Sequence, residues 1–201
     1  MHEYTGPHDY FNESYVRQWE QQADSKRPFR IQFFEAFAVE LNTLGAAKVL
    51  DLGSGPGFLA EYILNHSDIA SYHLFDFSPH MLELSRARLA RFDERTRFHQ
   101  GSFLDEGWFR ALPAPFDAVV SLQAIHEARD ATRIPRIYSE LRSLIGKGGI
   151  VLIADQVNSE TKKEEHLLTV DEQKAAFQSA GFEDARLVCE AGDLAMFKAT
   201  A

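Results

Sequence analysis

A strand, a glycine-rich turn and a helix follow one another within residues 49–60, and this segment constrains the fold most. Residues 49–52 are apolar except for Asp51, which predicts a short buried strand, and Phe58 begins a helix. Between them lies the sequence Gly-Ser-Gly-Pro-Gly, residues 53–57. Glycine suits a backbone that turns sharply and approaches a ligand closely, and the helix start offers N–H groups to a nucleotide or a carboxylate. The placement of the glycines therefore predicts a ligand-binding loop.

An acidic residue stands at the end of the next predicted strand, residues 71–77. Asp76 lies 19 residues beyond Gly57, close to the spacing at which an acid reaches ribose hydroxyls in Rossmann-like sites. The alternative is that Asp76 only serves the entry of the helix that follows at Ser78. Together with the glycine-rich loop, its position favours a ribose contact.

Several segments match one protein family in order and in spacing. The chain resembles the class I S-adenosylmethionine-dependent methyltransferases, and among them the small-molecule methyltransferases. This resemblance covers about residues 45–200 and implies methyl transfer from S-adenosylmethionine to a small-molecule acceptor. The matching segments are residues 49–57, Asp76, residues 101–103, residues 116–127, and Lys147-Gly148-Gly149 before the predicted strand 150–155.

The resemblance also implies a set of cofactor-binding residues. The glycine-rich loop would border the methionine part of the cofactor, and Asp76 would hold its ribose. Phe77 and Phe103 would flank the adenine, or could equally be core residues. Arg27 and Arg30 are candidate partners for the cofactor carboxylate, with a solvated surface charge as the alternative. The full predicted set is Asp51, Gly53, Ser54, Gly55, Gly57, Asp76, Phe77, Gly101, Ser102, Phe103, Ser121, Leu122 and Arg30.

Two features depart from the family pattern. Ser102 stands where many members carry an acid that hydrogen-bonds the adenine amino group, and a serine could do so only weakly. Residues 157–168 are mostly polar and brief, whereas many relatives place a substrate-binding insertion there.

Two residues are candidates for catalysis. His126 follows the predicted strand 116–121, and imidazole titrates near neutrality, so it could accept a proton from a hydroxyl or carbon acid. A structural or cofactor-facing histidine is the alternative. Tyr15 is the second candidate, from an aromatic-rich N-terminal segment. The neighbouring Glu127 is interpreted as a supporting or surface carboxylate.

The first 45 residues are predicted to form a helical lid or cap on a domain of residues 46–201. Residues 9–24 and 29–44 are the expected helices, the second with an apolar face. Residues 1–28 are further predicted to be a mobile lid over an acceptor pocket, with permanent packing on the domain as the alternative. Tyr4, Tyr10, Phe11, Tyr15 and Trp19 are too many aromatics for a purely solvated segment.

The remaining chain predicts an α/β fold, with a Rossmann-like, mostly parallel sheet covered by helices on both faces. Only Ala191-Gly192 separates the last two strands, a hairpin signal that makes the final strand antiparallel. The family resemblance implies seven strands. The expected helices are 57–66, 78–93, 130–145 and 171–180, and the later strands are 96–100, 116–121, 150–155, 183–190 and 193–199.

Composition limits the partners. A net charge of −9 argues against a nucleic-acid substrate, because phosphate binding needs a basic face. No apolar run approaches the ~20 residues of a membrane span, and the N-terminus lacks signal-peptide features. The single cysteine, Cys189, fits a reducing compartment. We therefore expect a cytoplasmic protein without nucleic-acid or membrane partners, and a homodimer is compatible with the sequence. The histidines show no paired spacing on one helix face, so no metal site is expected.

Two other functions stay open at this level. A nicotinamide-dependent oxidoreductase fits because Gly55, Gly57 and Ala60 also satisfy the dinucleotide pattern. Asp51 in the first strand and Pro56 inside the turn favour the methyltransferase instead. A methyltransferase-like binding or regulatory protein without turnover is the third reading, because the adenine-contacting acid and the substrate-binding insertion are missing.

Overall fold

The computed structural model describes residues 8–26, 29–159 and 163–201. Tyr4, Arg27 and the first seven residues of the predicted lid lie outside the described residues. The helices are α1 (Glu13–Lys26), α2 (Arg30–Asn42), α3 (Phe58–His66), α4 (Pro79–Arg88), α5 (Ile134–Leu144) and α6 (Val170–Ser179). The strands are β1 (Lys48–Leu52), β2 (Ser71–Asp76), β3 (Thr96–Gln100), β4 (Phe116–Leu122), β5 (Ile145–Gln156), β6 (Glu183–Ala191) and β7 (Leu194–Thr200).

The seven strands form one sheet in the order β3-β2-β1-β4-β5-β7-β6. Strand β7 pairs antiparallel with both β5 and β6, and the other neighbouring strands pair in parallel. The predicted fold class is thereby confirmed, including the antiparallel final strand. The hairpin turn comprises Gly192 and Asp193, one residue later than predicted, and Gly192 has φ +63°.

Local sequence signals explain two helix starts. The side-chain Oδ1 of Asn12 accepts a hydrogen bond from the backbone N–H of Tyr15 at 3.1 Å, which is the capping contact that asparagine favours. Helix α1 therefore begins at Glu13, later than the predicted residue 9. Ser78 caps α4 in the same way, through a backbone N–H at 3.2 Å.

Two boundaries differ from the prediction by five residues: α4 ends at Arg88 rather than at residue 93, and β5 begins at Ile145. Asp130 caps a 3₁₀ turn (Ala131–Arg133), so helix α5 begins later than the predicted residue 130. The strand predicted over 150–155 begins at Ile145, which pairs with Phe116 of β4. Glycines at 146, 148 and 149 occupy this first part of β5. Because glycine is unfavourable inside a strand, the sequence of these residues does not indicate a strand, and the predicted start of β5 falls at residue 150 instead.

Apolar layers cover both faces of the sheet. Helix α3 contributes to the same layer as α2, while α5 and α6 belong to the opposite layer, where the rings of Tyr138 and Phe177 stack at 4.1 Å. Whether residues 1–45 act as a lid or cap on residues 46–201 stays a prediction. The predicted apolar face of α2 is confirmed, and its buried residues include Phe33, Phe34, Phe37, Ala38 and Leu41.

Candidate active site

A cavity of about 750 Å³ lies at the edge of the sheet where the parallel strands end, which is where open α/β sheets bind ligands. The loops that follow β1, β2, β3 and β4 form most of its wall, and Gln156 at the end of β5 completes it. Residues from the N-terminal segment and α2 close the remaining side. These are His8, Tyr10, Phe11, Trp19, Arg30 and Phe34.

The three glycines of the loop serve different purposes. A Cβ on Gly53 would lie 2.3 Å from the Cβ of Ala124, so this glycine is required by protein packing rather than by a ligand. Gly57 lies outside the cavity lining and packs against Ser85. Gly55 lines the cavity, and a Cβ built there meets no protein atom within 4 Å. Only Gly55 thus has the environment expected of close ligand approach.

Asp76 is buried at the end of β2 and organises the loop. Its Oδ2 accepts the backbone N–H of Gly55 at 2.8 Å, and its Oδ1 accepts that of Ser78 at 2.9 Å. Burial raises the pKa of Asp76 to about 6, against the opposing effect of the N–H groups. Asp51 on the same cavity accepts a hydrogen bond from Tyr72 at 3.1 Å, and burial raises its pKa to about 7. These two buried carboxylates favour a ligand that carries positive charge.

The other predicted cofactor residues mostly reach the same cavity. Phe77 meets the rings of Tyr10 and Phe11 edge-on, with centroids 5.8 and 5.4 Å away. Ser121 does not line the cavity, since its buried hydroxyl donates to the carbonyl of Leu52 at 2.8 Å. Of the thirteen predicted residues, Gly57 and Ser121 stay outside the lining. The eleven that it includes are Arg30, Asp51, Gly53, Ser54, Gly55, Asp76, Phe77, Gly101, Ser102, Phe103 and Leu122.

His126 lines another part of the cavity wall and is held by Asp155. The Nδ1 of His126 is 2.6 Å from Asp155 Oδ1, while Asp155 Oδ2 accepts the backbone N–H groups of Ile125 and His126 at 2.7 and 3.1 Å. Burial alone would lower the pKa of His126, but the charge and hydrogen bond of Asp155, with the charge of Glu127, raise it above its ordinary value. In the neutral imidazole this arrangement places the N–H on Nδ1 and leaves Nε2 unprotonated, 3.6 Å from Glu127 Oε1.

Glu127 belongs to the cavity wall rather than to the surface. Its side chain is only 12% exposed. Its Oε2 accepts two hydrogen bonds from the Arg129 guanidinium, at 3.1 and 3.2 Å, and its Oε1 accepts one from the Tyr10 hydroxyl at 3.3 Å. Interpreting Glu127 as a surface carboxylate was therefore wrong.

Tyr15 does not line the cavity. Its hydroxyl forms a short hydrogen bond with the Nδ1 of His8, which does line it. Three other aromatic residues from this part of the chain do line the cavity: Tyr10, Phe11 and Trp19. The Tyr15 ring also lies edge-on to that of Tyr10, with centroids 5.9 Å apart, so Tyr15 contacts two lining residues without lining the cavity itself.

Sequence reasoning missed Asp155, Arg129 and Gln156. A signal for Asp155 existed, because β4 and β5 are parallel neighbours and their carboxyl ends meet. Asp155, near the end of β5, then lies beside His126, which follows β4. For Arg129 there was no such signal, since its position depends on a 3₁₀ turn (Ile125–Ala128) and on a left-handed backbone with φ +53°.

The described part of the chain offers neither a metal-binding cluster nor a membrane-spanning helix. Among residues 8–26, 29–159 and 163–201, no group of three or more His, Cys, Asp or Glu side chains could hold a metal ion. No helix in these ranges is long and apolar enough to cross a membrane.

The strand order, the single antiparallel strand and the strand-end cavity define the class I methyltransferase fold. The sequence agrees, because the pattern of the methyltransferase domain family matches residues 49–149. The chain belongs to this family, and the predicted resemblance is confirmed.

Relatives share the domain but are mostly longer. The rice (Oryza sativa subsp. japonica) chloroplastic 2-methyl-6-phytyl-1,4-hydroquinone methyltransferase 1 is 31% identical over 150 residues, which cover 70% of this chain and 42% of the rice protein. A highly reducing polyketide synthase of Emericella nidulans, pkhB, is 30% identical over 57% of this chain and 5% of its own length. The chain therefore spans less than half the length of these two relatives.

A solved structure shows the same fold. Human N-acetylserotonin methyltransferase, in complex with SAM, superimposes with a TM-score of 0.71 at 18% sequence identity. The match covers 95% of this chain and 57% of the human chain. At this identity the likeness concerns the fold alone.

Proposed function

We propose that this chain transfers the methyl group of S-adenosylmethionine to a small-molecule acceptor, with His126 as the general base. One observation carries the proposal: a single cavity joins the glycine-rich loop and Asp76 on one wall to the His126–Asp155 pair on the other. The first wall suits a charged nucleoside, and the second suits removal of a proton from an acceptor.

The residues of the first wall fit this cofactor. The hydroxyl of Ser54 is buried, lines the cavity, and has no hydrogen-bond partner among the described residues. A buried hydroxyl without a protein partner is expected to form a hydrogen bond with a ligand or with water. Gly55 leaves open space, a cationic ligand would favour the ionised forms of Asp51 and Asp76, and Arg30 offers a guanidinium for a carboxylate. We assign cofactor binding to these residues, together with Phe77, Gly101, Ser102, Phe103 and Leu122.

When bound, S-adenosylmethionine supplies a methyl group on an already activated sulfonium. The chain itself must orient the acceptor, exclude water and accept a proton. His126 Nε2 accepts the proton, and Asp155 stabilises the resulting imidazolium through Nδ1. The neutral, basic form of His126 gains population as the pH rises through its pKa, which lies above the ordinary value for histidine. Activity is therefore expected to increase with pH through this titration.

The N-terminal segment would close the cavity, as the sequence predicts for residues 1–28. Tyr10 supports this role within the described residues, because its carbonyl accepts the Ser78 hydroxyl at 2.6 Å while its own hydroxyl donates to Glu127. Its ring also lies 5.8 Å from that of Phe77, so Tyr10 contacts lining residues after both β2 and β4. Hydrogen exchange tests the lid: amides of residues 9–24 should be protected when cofactor and acceptor bind. Equal protection in free and bound protein would make this segment a permanent cap.

A titration with two cofactors tests the proposal directly. S-adenosylhomocysteine should bind with micromolar or tighter affinity in calorimetry, and NAD should not bind. Mass spectrometry of ligands that copurify with the protein would identify the cofactor independently. Binding of NAD alone would overturn the proposal. Binding of S-adenosylhomocysteine with no methylated product from a broad panel of acceptors would favour the binding or regulatory alternative. The cytoplasmic location and a homodimer stay predictions, the latter tested by light scattering.

A further inference from the structure

One side chain outside the cavity joins the N-terminal helix to the glycine-rich loop. Arg88 is the last residue of α4, and its guanidinium has three hydrogen-bonded partners in three parts of the fold. Nε donates to the carbonyl of Pro56 at 2.9 Å, Nη1 to Glu61 of α3 at 3.2 Å, and Nη2 to Glu20 of α1 at 2.6 Å. We call this set the Arg88 clasp.

The loop end of the clasp belongs to a larger arrangement that fixes the loop backbone. The hydroxyl of Ser85, one turn before Arg88 in α4, donates to the carbonyl of Gly55 at 2.7 Å. The N–H of Gly55 is held by Asp76. Two consecutive carbonyls and one N–H of the loop are therefore fixed by side chains from α4 and β2. Displacement of Arg88 would free the Pro56 carbonyl at the position where the loop lines the cavity.

The α1 end of the clasp lies beside the cavity. Glu20 directly follows Trp19, which lines the cavity wall. The side chains of Arg88 and Glu20 are 21% and 23% exposed, so solvent screens this ion pair only in part. The Arg88 guanidinium also lies 4.0 Å from the ring centre of Phe58, another lining residue. Arg88 itself does not line the cavity, so its influence on a ligand must be indirect.

We propose that Arg88 is a positioning residue that couples closure of α1 over the cavity to the ligand-binding conformation of the glycine-rich loop. One guanidinium hydrogen-bonds both α1 and the glycine-rich loop. Each of these segments is therefore more stable in its observed position when the other also holds Arg88. Such coupling is reciprocal: a ligand that orders the loop tightens α1, and loss of the α1 contact loosens the loop. The inference rests on the proposed function only where it concerns the cofactor.

Charge-neutral substitutions separate the parts of the clasp. Glu20→Gln weakens only the contact to α1, and Glu61→Gln is the matched control because it removes the other carboxylate without touching α1. Stopped-flow release of S-adenosylhomocysteine and hydrogen exchange of the ligand-free protein are the two readouts. For Glu20→Gln we expect release to be roughly two- to fivefold faster, the range that one partly exposed ion pair supports. Amides of residues 53–57 should also exchange faster, although the substitution lies in α1.

The hydrogen-exchange measurement needs no ligand, so it tests the Arg88 clasp even if the cofactor assignment is wrong. Wild-type protein that does not bind S-adenosylhomocysteine would overturn the proposed function and leave the exchange result standing. Glu20→Gln in an Arg88→Gln background should add nothing, because both act through one guanidinium. The proposal is overturned if Glu20→Gln loosens α1 alone, if Glu61→Gln gives the same exchange pattern, or if the two changes at 20 and 88 add.

Discussion

The two walls of the cavity are built in different ways. The proposed cofactor wall includes a short backbone segment, residues 53–56, in which Asp76 accepts the Gly55 N–H while Ser85 and Arg88 donate to the Gly55 and Pro56 carbonyls. The proposed acceptor wall includes side chains from distant parts of the chain, among them Tyr10, His126 and Gln156. A side chain added at Gly55 would occupy the space of the ligand, whereas a change of a polar side chain removes a chemical group and leaves the space open. Substitutions on the two walls should therefore fail in different ways.

The largest effect is expected for Gly55→Val. The new side chain would enter the cavity rather than the core, since no protein atom lies within 4 Å of the added Cβ. Binding of S-adenosylhomocysteine should be lost in calorimetry, while circular dichroism stays close to wild type. Gly45→Val is the matched control, because Gly45 has a similar positive φ (+69° against +54°) and equally open surroundings away from the cavity. Global unfolding of Gly55→Val alone would make the role of this glycine structural.

On the acceptor wall, His126→Gln should lower turnover while the cofactor still binds. Loss of a general base costs about 10²–10⁴-fold in rate, and the glycine-rich loop does not depend on His126. Steady-state kinetics with any acceptor that is found, together with the dissociation constant of S-adenosylhomocysteine, separates the two effects. His80→Gln, on α4 outside the cavity lining, provides the control. A normal rate would restrict His126 to the structural role that the sequence left open.

Asp76→Ala tests the cofactor wall at a side chain. Loss of charge-assisted hydrogen bonds should weaken S-adenosylhomocysteine binding by about 2–4 kcal/mol, part of it through release of the Gly55 N–H. Turnover at saturating cofactor should change less than the affinity. Asp117→Ala is a suitable control, since Asp117 accepts the Lys48 N–H at 2.8 Å outside the cavity lining. Unchanged affinity would remove the ribose assignment.

The same contrast explains how much could be predicted from the sequence. The proposed cofactor wall could be predicted because glycine spacing, a buried strand and one acid lie close together along the chain, and local patterns carry that information. Even there the reason given for Gly53 was incomplete, since its missing Cβ makes room for Ala124. The acceptor wall depends on contacts between residues far apart, such as His126 and Asp155, and on a 3₁₀ turn. Neither leaves a periodic pattern, so the sequence identified His126 but not its partner Asp155.

The smallest predicted effect concerns the titration of two buried histidines. His126 should titrate above its ordinary pKa because of Asp155, whereas burial lowers the pKa of His73 to about 4, with the charges of His99, Lys48 and Arg97 acting in the same direction. Asp155→Asn removes the charge that raises the pKa of His126 and leaves the burial that lowers it. The His126 resonance in NMR should then move to lower pH, and the rise of activity with pH should move with it. His73 should keep its titration in the variant. If the His126 resonance did not move, Asp155 would not be the source of its basicity, and Glu127 would have to supply the charge.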